Sequence, residues 1–363
     1  MSKPKVIAFY LPQYHPTPDN DKWWGKGFTE WTNVGKAKPL FPGHYQPKVP
    51  ADLGYYDLRL PEVREAQAEL AREAGVYGFC YYHYWFGNGK QELELPFNEV
   101  LRLGKPDFPF MLCWANESWH RKFWNKDGKG SSKEMLIEQT YPEGDAERHF
   151  YHLLHAFRDP RYIRIDGKPA FMIYKPLQYP DVAVFITKWQ ELALQNGLPG
   201  IHFIGHMQEN FTQSGYDNLL NLGFDAVNTV GLYSALKNLM TPFRNFRRKI
   251  GFHLLNRPLM LDYKDASKHF ITDIDRMPNV YPTLIPNWDH TPRSGRAGWV
   301  LTGSSHEKFR NHCDELFQMM NETSKHLCFL KSWNEWGEGN YMEPDLKFGK
   351  RFTKALSESI TRF

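Results

Sequence analysis

Eight short apolar runs, separated by amphipathic stretches, constrain this chain more than any other feature. They are VIAFYLP (6–12), VYGFCYYHYW (76–85), PFMLCWANE (109–117), PAFMIYKP (169–176), IHFIGH (201–206), FDAVNTV (224–230), TLIPNWD (283–289) and HLCFLKSWNEW (326–336). Rich in Val, Ile, Phe and Tyr and bounded by turn residues, they read as buried strands. Helical periodicity fills the intervals 59–75, 145–157, 180–197 and 304–323, and Gly75 and Gly197 fall where helix C-caps belong. Strand and helix in alternation imply a parallel sheet. Eight repeats in 363 residues favour a closed (β/α)8 TIM barrel with long strand-to-helix loops, one domain over residues 1–363, rather than an open doubly wound sheet. Neither GxGxxG nor GxxxxGK[ST] follows the first strand, which removes the main support for a dinucleotide or P-loop enzyme.

A barrel of this kind carries its site at the C-terminal ends of the strands. Those ends hold Tyr10 and Gln13; His83, Tyr84 and Trp85; Trp114, Asn116 and Glu117; Tyr174; His206; Asn228; Trp288 and Asp289; and Asn334, Glu335 and Glu338. The expectation is a single cleft ringed by these side chains. Flat aromatic rings stack on sugar C–H faces while Asn, Asp, Glu and His bond the hydroxyls, so the ring suits a carbohydrate. Long connections follow the first, third and sixth strands (13–58, 118–144 and 231–282), and loops of that length serve as walls or lids. The first contains Trp23, Trp24, Glu30 and Trp31, which either cover the cleft or pack on one another.

Charge narrows the partners. With 45 basic and 41 acidic residues scattered along the chain and a net charge of +4, no nucleic-acid footprint is present. The segment LYSALKNLMTPFRNFRRKIGFHLL (232–255) sets Arg244, Arg247, Arg248 and Lys249 among apolar residues, which fits either a solvated insertion or peripheral contact with an anionic membrane. Four cysteines without CxxC spacing read as reduced thiols, and MSKPKVIAFYLP lacks a signal-peptide pattern, so a cytoplasmic protein is expected. No metal or cofactor is expected; His202 and His206 have HxxxH spacing but lie on a strand with no acidic ligand beside them.

The stretch SWNEWGEGNYMEP (332–344) is the strongest chemical signal. Glycosyl transfer needs a proton for the leaving oxygen and a base or nucleophile for the anomeric side, work that two carboxyls with separated pKa values can divide. In a helical turn, Glu335 and Glu338 three apart share a face. Trp333 and Trp336 offer a low-dielectric wall to raise one of them. A helix N-terminus rich in Glu would account for the same spacing. Glu117 in WANESW is the rival, paired with Glu335 across the barrel, and His83 is a site residue or a satisfied buried imidazole. Asp289 and Arg293 in NWDHTPR bind a sugar or an anionic group, or form a structural pair.

IAFYLPQYHPTPDNDKWWGKGFTEWTNV, PLFPGHYQPKVPADLGYYDLR, YGFCYYHYWF, LCWANESW, DPRYIRIDGKPAFMIY, NWDHTPR and SWNEWGEGNYMEPD together resemble the WbsX-type family of bacterial polysaccharide-biosynthesis proteins, labelled glycosyltransferases and similar in turn to the family 99 endo-α-mannosidases. The resemblance spans nearly the whole chain. It implies a (β/α)8 barrel working on an oligosaccharide or polysaccharide: a hydrolase or transglycosylase of α-mannoside-like linkages, or a glycosyltransferase of surface polysaccharide (O-antigen) assembly. An inactive sugar-binding barrel is the remaining reading. By the same resemblance Glu335 assists the sugar 2-hydroxyl as an internal nucleophile, Glu338 is general acid then base, and configuration is retained. Gly337 departs from the pattern, standing where those endomannosidases commonly carry histidine.

Overall fold

The computed structural model describes residues 3–120, 134–207 and 212–363. The apolar runs form parallel strands β1 (Lys5–Tyr10), β2 (Val76–Trp85), β3 (Phe110–Trp114), β4 (Lys168–Ile173), β5 (His202–Met207), β6 (Ala226–Thr229), β7 in two pieces (Val280–Tyr281 and Thr283–Leu284) and β8 (Leu327–Leu330). Each pairs with its neighbour in sequence, and β1 also pairs with β8, Lys5 opposite Leu327 through Ala8 opposite Leu330. Pro282, which has no amide to donate, divides β7. One piece pairs with β6 and the other with β8, while the Pro282 carbonyl still accepts from Phe329 N at 2.8 Å. The ring closes through this broken strand, giving the TIM-barrel architecture.

Alternation along the strands sorts side chains into two layers. Phe9 packs inside the barrel against Tyr82, Phe329 and His206, with centroids 5.3 to 5.8 Å apart. Outside it, helices Pro61–Glu73, Asp145–Arg158, Val182–Gln195 and His306–Glu322 match the periodic segments, with Gly75 and Gly197 at positive φ just past their helices. Trp189, fully buried, fills the outer layer against Phe171 and Phe185.

The long connections build the mouth. In 13–58, Thr17 caps helix Pro18–Trp24 and Thr29 closes a capping box at helix Glu30–Lys36, which fixes Glu30 in its first turn. Of 118–144, residues 121–133 lie outside the described residues; Trp119–His120 pairs with Met135–Ile137. The third connection holds helices Gly231–Leu239 and Pro242–Leu254 and a strand, Leu259–Asp262, parallel to Trp299–Thr302. Helix Gly231–Leu239 and the two strands border a second small core of Leu232, Ala235, Tyr263, Ile285, Trp288 and Leu301. Among the described residues no helix is long and apolar enough to cross a membrane, and all four cysteines are buried and free.

Candidate active site

At the C-terminal mouth lies a cavity of about 390 Å³ whose lining includes Glu335, Glu338, Glu30, Arg293, Lys331 and Glu117 with Tyr84, Tyr174, Tyr233, Trp24 and Trp119. Its floor is shaped by the turn after β8. Asn334 accepts from Leu11 N at 2.8 Å and donates to Leu11 O at 3.0 Å, tying that turn to the end of β1. Buried Tyr14 donates to Asn334 O and accepts from Trp336 N at 3.1 Å, bracketing Glu335 between two bonds to one hydroxyl. The short 3-10 turn Trp336–Glu338 then brings Glu338 to the cavity that Glu335 lines. Trp333 and Trp336 do not line the cavity; both are fully buried beneath it, and the Trp336 indole stacks on Tyr341 and donates to Glu343 at 2.6 Å. Burial pushes the Glu343 carboxyl up to about 7.

Arg293 organises the charges. Its Nε lies 2.9 Å from Glu30 Oε1, and its Nη1 lies 3.2 Å from Glu335 Oε1 and 2.5 Å from Glu338 Oε1. One guanidinium thus holds three carboxyls delivered from two loops. The turn carrying it, Thr291–Ser294, is itself anchored by Asp289, whose carboxylate accepts from Thr291 N and Oγ1, from Gln46 Nε2 at 2.6 Å and pairs with His44 at 2.9 Å. Burial opposes ionisation of Asp289, but Lys48 and His44 hold it well below the carboxylate range. No Asp289–Arg293 pair forms, which corrects that expectation: the two residues turn to different partners.

Burial and the charge of Glu338 push Glu335 up to about 7. Glu338 is half-buried, and Arg293, Lys331 and His290 outweigh the desolvation penalty and hold it down to about 2. The two carboxyls are pushed in opposite directions, so the first proton that the pair takes up as pH falls through about 7 goes to Glu335. Gly337 makes the arrangement possible. A Cβ there would sit 1.8 Å from Glu30 Oε1, so the Glu30 carboxylate occupies the space a side chain at this position would need.

Of the strand-end residues expected around one cleft, the structure brings Gln13, Tyr84, Glu117, Tyr174, Glu335 and Glu338 together. The others do not open into it. Tyr10 turns outward and donates to Gln67 of the first barrel helix at 2.6 Å. His83 and Trp85 have the opposite strand parity from Tyr84: His83 bonds His149 at 2.8 Å, Trp85 donates to Asp145 at 2.9 Å, and burial lowers His83 to about 3. Trp114 packs outward on His149 and Phe185, and Asn116 bonds the Lys175 backbone. His206 lies inside the barrel, stacked under Tyr174 and bonded to Asn228 at 2.6 Å. Trp288 belongs to the second core, and Asp289 and Asn334 are buried supports. Glu117 lines the same cavity but does not share Arg293 with the glutamate pair. His202 bonds Tyr281 at 3.2 Å, and among the described residues no three His, Cys, Asp or Glu gather as a metal site. Tyr14, Lys331, Tyr233 and His290 were not singled out from sequence; no local pattern marks them.

Comparison with known proteins follows the same line. Over 98% of its length the chain is 36% identical to an uncharacterised protein, WxcX, of Xanthomonas campestris pv. campestris, in strains ATCC 33913 and B100. The chain spans about half the length of these curated relatives. Among solved structures, a glycoside hydrolase-like protein superposes with TM-score 0.60 at 14% identity, covering 99% of this chain and 94% of that one. A family 99 endo-α-mannosidase from Bacteroides thetaiotaomicron superposes with TM-score 0.54 at 15% identity, covering 98% and 96%. At such identities these two matches establish a shared fold. The family described as glycosyltransferase WbsX matches residues 6–356, so the chain belongs to the WbsX family, a family of glycan-active enzymes.

Proposed function

We propose that this chain breaks or transfers glycosidic bonds of an oligosaccharide or polysaccharide, α-mannoside-like in linkage, with retention, and that Glu335 and Glu338 are the reacting carboxyls. The observation that carries this reading is the geometry of the pair: Glu335 and Glu338 line one cavity at the barrel mouth and both meet Arg293 Nη1, at 3.2 and 2.5 Å, and their surroundings push the first carboxyl up and the second down, as a division into proton donor and acceptor needs. In the proposed sequence the substrate 2-hydroxyl approaches Glu335. As that hydroxyl becomes the donor to Glu335, the proton taken up there passes to Glu338, which gives it to the leaving oxygen. The 2-hydroxyl oxygen attacks the anomeric carbon as its own proton moves to Glu335. Water or a sugar hydroxyl, deprotonated by Glu338, then opens the anhydro ring and Glu335 returns the proton to the 2-oxygen.

Spacing supports retention. Both carboxyls touch one nitrogen of Arg293, at 3.2 and 2.5 Å, so these oxygens lie closer than the roughly 6.5 to 9.5 Å that accommodates a water between inverting carboxyls. The family description favours a second reading, transfer from a nucleotide sugar. Against it stands the charge of the cavity: Glu30, Glu117, Glu335 and Glu338 face Arg293 and Lys331, and the guanidinium is already engaged by three of them. A lining of that sign suits a neutral sugar passing through a cationic transition state better than a diphosphate.

The test is a screen of purified protein against α-mannosides, bacterial surface polysaccharides and nucleotide sugars, with product anomers read by NMR. Retained products from a glycoside are expected; inverted products, or turnover of nucleotide sugars alone, would overturn the reading. With an activated aryl leaving group, which needs no proton, the first step is expected to recover in Glu338→Gln and not in Glu335→Gln.

A further inference from the structure

The third connection carries a helix that the cleft does not use. Pro242–Leu254 is thirteen residues long and buries none of them. Its inner side is nevertheless fixed to the fold. Thr241 caps it by accepting from Arg244 N, Arg244 pairs with Asp265 at 3.8 Å, and the Arg296 guanidinium stacks on Phe252 at 4.6 Å while donating to the Phe252 carbonyl and Asn256. The outer side is apolar. Phe243, Phe246 and Leu254 are 68%, 60% and 77% exposed, and their helical spacing, with half-buried Ile250 between them, draws one stripe. Leu255 continues it, 56% exposed.

Aromatic and leucine side chains concentrated on so short a helix mark a surface that is covered by something apolar. Charge says what kind of surface. Arg247 lies beside the stripe with its guanidinium 5.9 Å from the Phe243 ring, Arg248 and Lys249 are exposed on the rest of the helix, and residues 242–254 contain no Asp or Glu. Apolar side chains flanked by cations on a helix lying flat is the pattern of an interfacial helix, its stripe in the acyl boundary and its cations among anionic headgroups. We propose that helix Pro242–Leu254 docks this protein on an anionic lipid bilayer. Docking sets the cleft beside the bilayer, because Tyr233 in the preceding helix lines the cavity and Arg296, which grips Phe252, follows Arg293 in the chain by three residues. A glycan held at a membrane surface is then the substrate within reach. This last clause rests on the glycan chemistry proposed above, whereas lipid binding stands on the helix alone.

The experiment is vesicle flotation of the whole chain with phosphatidylcholine alone or mixed with phosphatidylglycerol, at low and high salt. Wild type is expected to float with the anionic vesicles at low salt and to stay with the soluble fraction in neutral ones. Neutralising Arg247, Arg248 and Lys249 together to Gln is expected to lower partitioning about 100-fold, at roughly fivefold per basic side chain. Phe243→Ser with Phe246→Ser is expected to lower it at least about tenfold by removing inserted apolar area. Melting temperature is expected to be unchanged in both variants, since no residue of the helix is buried. Glu335→Gln is expected to float like wild type, so failure of the glycan chemistry and failure of lipid docking are read separately. Equal partitioning on neutral and anionic vesicles, no partitioning on either, or wild-type partitioning of the triple variant would overturn the proposal. So would a solution dimer that Phe243→Ser with Phe246→Ser dissociates, because the stripe would then be covered by a second copy.

Discussion

Glu335→Gln is expected to stabilise the protein above neutral pH while removing its activity. In the unfolded chain the carboxyl titrates near 4.5, and in the fold burial and Glu338 raise it to about 7. A carboxyl raised in this way is held in its neutral form by the fold, so its contribution to stability is complete below about pH 4.5 and is lost as pH rises through about 7. At about 1.4 kcal/mol per pKa unit, the loss amounts to about 3 kcal/mol. Glutamine has the same shape, stays neutral, and can donate to Glu338 as the protonated carboxyl does. The variant is therefore expected to match wild type near pH 4.5 and to exceed it by up to about 3 kcal/mol at alkaline pH. Urea unfolding of both proteins across this range measures the difference directly. Glu343, also raised to about 7, tilts both curves alike, so only the difference between them is diagnostic. Turnover in Glu335→Gln is expected to fall by about 10²-fold to 10⁴-fold. Parallel stability curves would refute the placement of the proton on Glu335, and undiminished turnover would move the chemistry to Glu117.

Arg293→Met leaves three carboxyls without their common cation and is expected to cost about 3 to 5 kcal/mol near neutral pH. The deficit relative to wild type is expected to shrink as pH falls from 4.5 toward 2, where wild type loses the stability that the depressed Glu338 supplies; acid titration of both proteins by circular dichroism reads this. Gly337→Ala drives a methyl into the buried Glu30 carboxylate and is expected to destabilise by about 1 to 3 kcal/mol with reduced turnover, and Glu30→Ala in the same chain is expected to return part of the melting temperature. Tyr14→Phe removes the hydroxyl that brackets Glu335, with an expected cost of about 1 kcal/mol in urea unfolding and a larger proportional loss in kcat than in KM. Trp189→Ala empties the outer layer far from the cavity and is expected to cost about 3 to 5 kcal/mol without shifting the pH–rate profile of the surviving folded protein.

What the sequence determined by itself is local. Apolar runs of strand length, helical periodicity between them and glycines past the helix ends mark the alternation of the barrel, because these signals act within a few residues. The Glu335 and Glu338 pair was legible for the same reason: its spacing and its place after β8 are properties of one turn. Facing was not. Strands covered on both sides are apolar on both sides, so nothing in VYGFCYYHYW says that Tyr82 and Tyr84 look inward while His83 and Trp85 look toward the helices. The cluster on Arg293 lay further still from view. It joins Glu30 to Arg293 across 263 positions of sequence, and Asp289, an apparent site residue at a strand end, became the anchor of the turn that makes the junction. Tertiary structure also decided how the two carboxyls differ, since the burial and charge that raise Glu335 and lower Glu338 come from loops that meet only when the ring of strands has closed.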